Sequence, residues 1–274
     1  MPRIETRNMD LTTEYFVGTC THVNESEEAD ACGRRRVTWF RNMHEKGLRV
    51  KVAFLREKPI GFLYAMPIEV CPWGPLGKDL LAVPCLFVLN EQKGKGTGSA
   101  LIAEADKEAQ HQGKKGIVTL GYYHDFWFMP ARFFEKCGFS AVGKPHEVTS
   151  EGEKEYLSKE AILWRVFDSS AEPPKFLKPN YQFESISGKI VVDLFFNAFC
   201  GTSNAEAQRV REVAAEFGDS VVLNEYSADD PAVLRQYQLP RGIFINGKEI
   251  GWGYEAPRDG IRKAISEAVG KNKP

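Results

Sequence analysis

The chain has 274 residues, of which 43% are hydrophobic, and its formal net charge is −1 at pH 7. This length and composition predict one or two domains, each with a hydrophobic core. Because basic residues are scattered and no apolar run is long enough to span a bilayer, we expect neither a nucleic-acid-binding protein nor a membrane protein.

The first part of the chain alternates between helical and extended patterns. A helix is predicted around Arg34–Lys46, and a β-hairpin follows with its turn at Glu57-Lys58-Pro59. The predicted strands are Arg49–Leu55, Ile60–Ile68, Leu80–Leu89, one near Ile117–Leu120, and Ala161–Phe167. Between the third and fourth of these strands, the spacing of apolar residues predicts an amphipathic helix. This order of a hairpin followed by strand-helix units is typical of an α+β arrangement.

A glycine-rich segment joins the third strand to that amphipathic helix. It reads Lys93-Gly94-Lys95-Gly96-Thr97-Gly98, and the residues after it, Leu101 and Ala105 among them, share one helical face. Glycines let a backbone approach a ligand closely, and the free N–H groups of a helix N-terminus bind anions. The segment therefore predicts a pyrophosphate cradle. It matches neither the Walker spacing nor the dinucleotide spacing, and a glycine-rich helix start without a ligand is the alternative.

Two motifs resemble those of one acyltransferase family. Lys93-x-x-Gly96-x-Gly98 resembles the [Q/R]-x-x-G-x-[G/A] motif of GNAT acetyltransferases, with Lys in the first position. Residues 131–139 are similar to the family's A-x-x-F-Y-E-K-x-G-F stretch. The resemblance covers residues 1–167 and implies an acetyl-CoA-dependent N-acetyltransferase of a small-molecule amine. The cofactor-binding residues that it implies are Val88, Lys93, Gly94, Lys95, Gly96, Thr97, Gly98, Ser99 and Phe134.

Acetyl transfer from a thioester to an amine requires a polarised carbonyl, a base for the amine and a way for the thiolate to leave. The resemblance implies that the backbone N–H of Val88 or its neighbour holds the carbonyl. Glu69 is the best candidate for the base, although a solvated turn carboxylate is an equal alternative, and His124 with Asp125 forms a second candidate pair. Phe134 stands where the family has a tyrosine that protonates the thiolate. Tyr122, Tyr123 or water can replace it, the thiolate can leave unassisted, or catalysis is impaired.

The second part of the chain follows a polar, proline-rich stretch at residues 168–187, which predicts a linker. Its predicted elements are a strand Ile190–Phe196, a helix, a strand Val221–Tyr226, a helix near Ala232–Tyr237, a hairpin of Ile243–Ile245 with Glu249–Trp252, and a closing helix. The order β-α-β-α-β-β-α resembles the thioredoxin/glutaredoxin fold. Cys200 lies where that family places its reactive cysteine, and Leu239-Pro240 lies where it has a cis-proline.

This combination resembles acetyltransferases with a C-terminal YoaP-type thioredoxin-like domain. We therefore expect a GNAT domain over residues 1–167, a linker over 168–187 and a thioredoxin-like domain over 188–274. Cys200, with Pro240 beside it, is a redox candidate because a cysteine that opens a helix favours the thiolate. No second cysteine lies three residues later, so a monothiol module and a recognition module for the acceptor are both open, and recognition is slightly favoured.

Six cysteines are irregularly spaced, without a C-x-x-C pair or a His-rich tract, so neither a disulfide framework nor a metal site is expected. Residues 1–5 lack the apolar core of a signal peptide, which favours a cytoplasmic protein with reduced thiols. The alternative function is a thiol-binding or redox module fused to a catalytically weakened acetyl-CoA-binding domain. Aromatic residues could line an acceptor pocket or belong to the core, namely Trp73, Tyr122, Tyr123, Phe126, Trp127 and Phe128.

Overall fold

The computed structural model describes residues 3–123, 128–149, 157–251 and 255–271. The strands of the first part are β1 (Glu5–Asn8), β2 (Arg49–Leu55), β3 (Lys58–Pro67), β4 (Leu81–Val88), β5 (Gly116–Tyr123), β6 (Ser140–Ala141), β7 (His146–Thr149) and β8 (Leu157–Val166). Its helices are α1 (Glu14–Gly18), α2 (Glu27–His44), α3 (Thr97–His111) and α4 (Ala131–Lys136). Helix α2 begins earlier than predicted because the Ser26 side chain accepts the N–H of Ala29 and caps it.

These strands form one twisted sheet in the order β1-β2-β3-β4-β5-β8-β6, with β7 also paired to β8. Strands β4 and β5 pair in parallel, and α3 connects them, whereas the other described pairs are antiparallel. The hairpin between β2 and β3 turns at Arg56 and Glu57, earlier than the predicted Glu57-Lys58-Pro59. Both residues have positive φ, which is the geometry of a two-residue hairpin loop.

Helices cover both faces of this sheet. Trp39 and Phe40 of α2 pack against the face that carries Val50 and Phe62, while Leu101 of α3 packs against the opposite face. The two hydrophobic clusters alternate along the strands because successive side chains of a strand point to opposite faces. The N-terminus of α3 is thereby fixed at the C-terminal end of β4, where the glycine-rich segment lies.

The second part has the predicted order of elements. It comprises β9 (Ile190–Phe196), α5 (Gly201–Glu216), β10 (Val221–Ser227), α6 (Pro231–Tyr237), β11 (Gly242–Ile245), β12 (Lys248–Glu249) and α7 (Arg258–Lys271). Its four-stranded sheet has the order β10-β9-β11-β12, with β10 parallel and β11 antiparallel to β9. Of the last predicted strand, Glu249–Trp252, only Glu249 belongs to β12, since Ile250 and Gly251 are not in a strand, and Trp252 lies outside the described residues.

The two parts of the chain pack against each other through α2 and α5. Phe199 is buried in the first part's core, where its ring meets that of Tyr64 at 5.0 Å between centroids. Arg35 Nε donates to Asn204 Oδ1 at 2.6 Å, and Glu28 on α2 accepts hydrogen bonds from Arg209 on α5. The side chains at the start of α5 therefore lie next to α2. Within the described residues, no helix is long and apolar enough to cross a membrane.

Candidate active site

Strands β4 and β5 separate after a short paired stretch. They pair at Leu81–Ile117 and Ala82–Val118 only, and Met129 bridges the two strands where they have separated. The N–H of Leu86 donates to Met129 Sδ at 3.3 Å, and the N–H of Tyr122 donates to Met129 O at 2.9 Å. Beyond the paired stretch, main-chain polar groups on this edge of β4 therefore face the gap and not a neighbouring strand.

A cavity of about 630 Å³ opens at this gap beside the start of α3. Gly96 is the N-cap of α3 with φ of +87°, and Gly94 has φ of +74°. A Cβ on either glycine would meet no protein atom within 4 Å, so it would point into space that a ligand can use. Gly98 is needed for a different reason, because a Cβ there would lie 2.8 Å from the Phe133 ring. Positive φ and close packing thus explain the three glycines.

The charge of this cavity suits a phosphorylated ligand. Lys93, Arg132 and Lys136 line it, and the N-terminus of α3 adds its free N–H groups. The Thr97 hydroxyl is buried without a hydrogen-bond partner, although a buried polar group normally has one. A phosphate oxygen would satisfy this hydroxyl, so the residues present fit the pyrophosphate of a CoA thioester.

Most of the predicted cofactor-binding residues line this single cavity. They are Val88, Lys93, Gly94, Gly96, Thr97, Gly98, Ser99 and Phe134, whereas Lys95 is exposed and does not line it. The N–H of Leu89 donates to Ile60 O of β3. Because N–H groups alternate along a strand, the N–H of Val88 points to the same side as that of Leu86, toward the gap. This direction is the one that the predicted carbonyl contact requires.

Neither tyrosine that could replace the missing proton donor lines this cavity. Tyr123 OH donates to Glu135 Oε1 at 2.5 Å, and burial raises the pKa of Tyr122, whose hydroxyl is paired with Glu160. Phe134 is fully buried and packs against Phe139. Within the described part of the chain, the lining of the cavity therefore contains no phenol for protonating a thiolate.

A second cavity of about 390 Å³ lies on the opposite side of the end of β4. Leu86 and Val88 line the first cavity, whereas Cys85 and Phe87 line the second. Side chains from α1, α2, β3 and the start of α5 complete it, so both parts of the chain form its walls. The aromatic residues that line it are Phe62, Trp73, Phe87, Phe128 and Phe199. Of the aromatic residues that were open to a pocket or a core role, Trp73 and Phe128 line this cavity and also pack against the core, whereas Tyr122 and Tyr123 pack against the core without lining it. Phe126 and Trp127 lie outside the described residues.

Arg36 lies at the base of the second cavity and is 1% exposed. Its guanidinium donates to Phe199 O at 2.8 Å, to Tyr64 Oη at 3.0 Å and to Cys20 Sγ at 2.9 Å. Sequence reasoning missed this residue. Its signal was a charged position on the buried face of α2, in helical register with Cys32 and Phe40.

The mouth of the second cavity carries a histidine-carboxylate pair that the sequence did not suggest. His22 Nδ1 lies 2.7 Å from Glu25 Oε2, and both residues line the cavity. Their side chains are 57% and 62% exposed. A carboxylate at this distance orients an imidazole and stabilises it once it has accepted a proton.

Glu69, the predicted base, lies away from both cavities. It is exposed near the start of β4, where its Oε1 accepts the N–H of Asp79 at 2.6 Å and its Oε2 lies 3.5 Å from Lys114 Nζ. These contacts hold a surface loop, and the placement gives no support to a catalytic role. The second predicted pair, His124 and Asp125, falls outside the described residues.

Cys200 lines the second cavity as the N-cap of α5. Asn197 connects it to Pro240, because Asn197 Oδ1 accepts the N–H of Cys200 and Asn197 Nδ2 donates to Pro240 O, both at 2.8 Å. The predicted cis bond between Leu239 and Pro240 is wrong: Gly74-Pro75 is the cis peptide among the described residues. Gln238, with φ of +52°, already turns the chain after α6, so a trans bond suffices.

Comparison with known families addresses the first part of the chain. Residues 46–141 match the family model of the acetyltransferase (GNAT) domain. The chain contains a GNAT domain. The prediction of an acetyltransferase is thereby confirmed, while the match does not extend to the second part of the chain. No curated protein matches the chain.

Several solved structures resemble part of the chain. Ribosomal-protein-alanine N-acetyltransferase from Brucella melitensis is 16% identical with a TM-score of 0.43, covering 59% of this chain and 99% of its own. An aminoglycoside 6'-N-acetyltransferase complexed with coenzyme A is 13% identical with a TM-score of 0.45, and the match covers 61% of this chain and 99% of that protein. A third structure is a Salmonella typhimurium protein that is provisionally classed as an acetyltransferase and contains its cofactor acetyl-CoA. It is 16% identical with a TM-score of 0.46, and the match covers 62% of this chain and 97% of that protein.

Proposed function

We propose that this protein transfers the acetyl group of acetyl-CoA to the amine of a small molecule held in the cavity between the two parts of the chain. The observation that carries this proposal is the first cavity, where positive-φ glycines, three cationic side chains and an unpaired buried hydroxyl meet at the start of α3. That set fits the pyrophosphate of acetyl-CoA. The thioester then enters the gap between β4 and β5 and faces the second cavity.

Residues of this chain carry out two of the required steps, which are polarisation of the carbonyl and removal of the amine proton. The N–H of Val88 points into the gap and polarises the thioester carbonyl. His22 accepts the proton of the incoming ammonium, and Glu25 orients its ring and stabilises the resulting imidazolium. We propose His22 as the base in place of Glu69. His22 lines the second cavity, which we call the acceptor cavity, whereas Glu69 lines neither this cavity nor the first, the cofactor cavity.

The departing CoA thiolate needs no tyrosine in this scheme. Thiols are far more acidic than alcohols, with a pKa of about 8.5 for a cysteine side chain, so a thiolate is a good leaving group without prior protonation. Lys93, Arg132 and Lys136 add positive charge to the cavity that the anion leaves through. Phe134 in place of a tyrosine is therefore compatible with turnover, and it packs in the wall of the cofactor cavity.

The second part of the chain is proposed to be a thioredoxin-like domain of the YoaP type, over residues 188–274. Its sheet order β10-β9-β11-β12 and its element order β-α-β-α-β-β-α support this proposal. The segment 168–187 is the proposed linker, and it contains neither a helix nor a strand. In the proposed enzyme this domain contributes Phe199 and Cys200 to the wall of the acceptor cavity.

A matched pair of glycine variants tests the cofactor cavity. Gly96→Val places a branched side chain in the space proposed for the pyrophosphate, so Kd for acetyl-CoA should rise about tenfold or more, a loss of at least ~1.4 kcal/mol. Gly113→Val is the control: its φ is +63°, its Cβ is equally unobstructed, and it follows α3 at the opposite end from the cradle. Calorimetry with both proteins separates backbone strain from steric exclusion. Equal affinities in Gly96→Val, Gly113→Val and wild type would overturn the assignment.

A further inference from the structure

Four of the six cysteines line the second cavity, although they are far apart in sequence. They are Cys20, Cys32, Cys85 and Cys200. Cys20 and Cys32 come from the first part of the chain near α1 and α2, and Cys200 comes from the second part. In the described residues no group of three or more His, Cys, Asp or Glu is placed to hold a metal ion. These four thiols thus gather where the two parts of the chain meet.

The Arg36 guanidinium stands at the centre of these thiols. It is buried, and among the described residues its hydrogen-bond acceptors are carbonyl oxygens, the Tyr64 hydroxyl and the Cys20 sulfur, with no carboxylate. A buried charge without an opposite charge is costly. The Nη1 to Sγ distance of 2.9 Å places one donor of this guanidinium directly against the Cys20 sulfur.

Two of the four thiols are poorly suited to react. Burial raises the pKa of Cys32 to about 11 and that of Cys85 well above its usual range. Cys32 also donates its proton to Gly201 O at 3.3 Å, as a neutral thiol does. Cys20 and Cys200 are half-buried and reachable from the cavity.

Cys20 and Cys200 are also neighbours across the junction of the two parts. A Cβ built on Gly201, the residue after Cys200, would lie 3.6 Å from Cys20 Sγ and 3.8 Å from Arg36 Nη1. Cys20 has φ of +52°, and the hydrogen bond from its N–H to Val17 O holds it in this conformation at the end of α1. The second thiol that the sequence around Cys200 lacks is thus supplied by the other part of the chain.

We propose that Cys20 and Cys200 form a dithiol that exchanges with a low-molecular-weight disulfide bound in the second cavity. This activity goes beyond acetyl transfer and does not depend on it. The Cys20 thiolate attacks one sulfur of the disulfide R–S–S–R, which forms Cys20–S–S–R and releases one thiolate RS⁻. The Cys200 thiolate then attacks Cys20 Sγ, which forms the Cys20–Cys200 disulfide and releases the second RS⁻. Two protein thiols are oxidised, one small disulfide is reduced to two thiols, and the reverse reaction restores the dithiol.

The test uses the full-length reduced protein and oxidised glutathione, with peptide mapping under non-reducing conditions. Wild type should lose two hydrogens and give one linked peptide that joins residues 20 and 200. Cys200→Ser should retain one glutathione on Cys20, and Cys20→Ser, which lacks the attacking thiol, should form neither the linked peptide nor a comparable amount of mixed disulfide at residue 200. Cys71→Ser and Cys137→Ser remove thiols outside the cavity and should react like wild type.

Several results would overturn the proposal. One is wild-type protein that carries only single glutathione adducts, with no link between residues 20 and 200. Another is a linked peptide that joins residue 32 or 85 to residue 200. Thermal unfolding of each variant before treatment shows whether it is folded, and Cys20→Ala provides a second variant if Cys20→Ser is unstable. Acetyl-CoA binding, measured by calorimetry on the same samples, reports separately on the acetyltransferase proposal.

Discussion

The two cavities on either side of the end of β4 are built in different ways. The proposed cofactor cavity is lined by two short segments, within residues 92–99 and 129–136, together with the end of β4, and its glycine-rich segment offers main-chain groups to a ligand. The acceptor cavity is assembled from α1, α2, β3, β4 and α5, and its character comes from side chains. A ligand shared by many enzymes can be bound by a short backbone motif. A specific acceptor requires side chains that only the tertiary structure brings together.

The largest predicted effect separates the acceptor cavity from the cofactor cavity. His22→Gln removes the proposed base, and we expect turnover to fall by about 100-fold while acetyl-CoA affinity stays unchanged. The readout is thiol release from acetyl-CoA in the presence of an amine that wild type acetylates, alongside calorimetry.

Glu69→Gln is the comparison, because Glu69 is likewise an exposed side chain that can act as a base but lines neither cavity. We expect its turnover to equal that of wild type. A large loss in Glu69→Gln with normal turnover in His22→Gln would restore the original prediction and remove His22 from the mechanism.

The difference between the cavities also explains what the sequence could predict. The strand Ile190–Phe196, the hairpin strands and the cradle follow from local periodicity and from glycines that must adopt positive φ. Arg36 and His22 could not be placed in the same way, because their neighbours come from distant segments. Glu69 lies between Pro67 and Pro72, and its contacts with Asp79 and Lys114 depend on a loop that periodicity does not describe.

A smaller effect concerns the contact that holds the acceptor cavity together. Glu28 on α2 pairs with Arg209 and Arg258 of the second part, and hydrogen bonds from Arg209 lower the pKa of Glu28. Because the folded-state pKa is lowered, this stabilisation is present above the unfolded pKa and is lost as pH falls through the folded pKa. Glu28→Gln should therefore lower the free energy of unfolding by ~1–3 kcal/mol at neutral pH, and by less in acid.

Thermal unfolding at neutral and acidic pH checks this prediction. Glu216→Gln is the control, since Glu216 pairs with Arg262 on the surface within the second part of the chain and should change Tm little. If Glu28→Gln and Glu216→Gln shift Tm equally at neutral pH, the contact between the two parts does not carry the stability assigned to it.

The last prediction concerns where a protease first cuts the folded chain, and it has the smallest expected effect on the protein. We predict that limited proteolysis first cleaves between Asp168 and Ser187, because exposed segments without helix or strand are the usual sites of nicking. Within this region we expect residues 182–188 to be cut first, because backbone hydrogen bonds hold the residues before them. Leu76 and Lys175 exchange such bonds, and Asn180 N–H donates to Tyr237 O. N-terminal sequencing of the first fragments locates the cut. First cleavage inside 190–251 would contradict the proposed boundary.

The central claim is acetyl transfer from a CoA thioester across the gap in the sheet. Its most direct test incubates wild type and Gly96→Val with acetyl-CoA and a panel of small-molecule amines, and detects acetylated products by mass spectrometry. We predict that wild type gives at least one N-acetylated amine with an equal amount of free CoA, and that Gly96→Val gives much less of both at the same acetyl-CoA concentration. Bound acetyl-CoA with no acetylated amine from any panel member, or equal yields from the two proteins, would contradict the account.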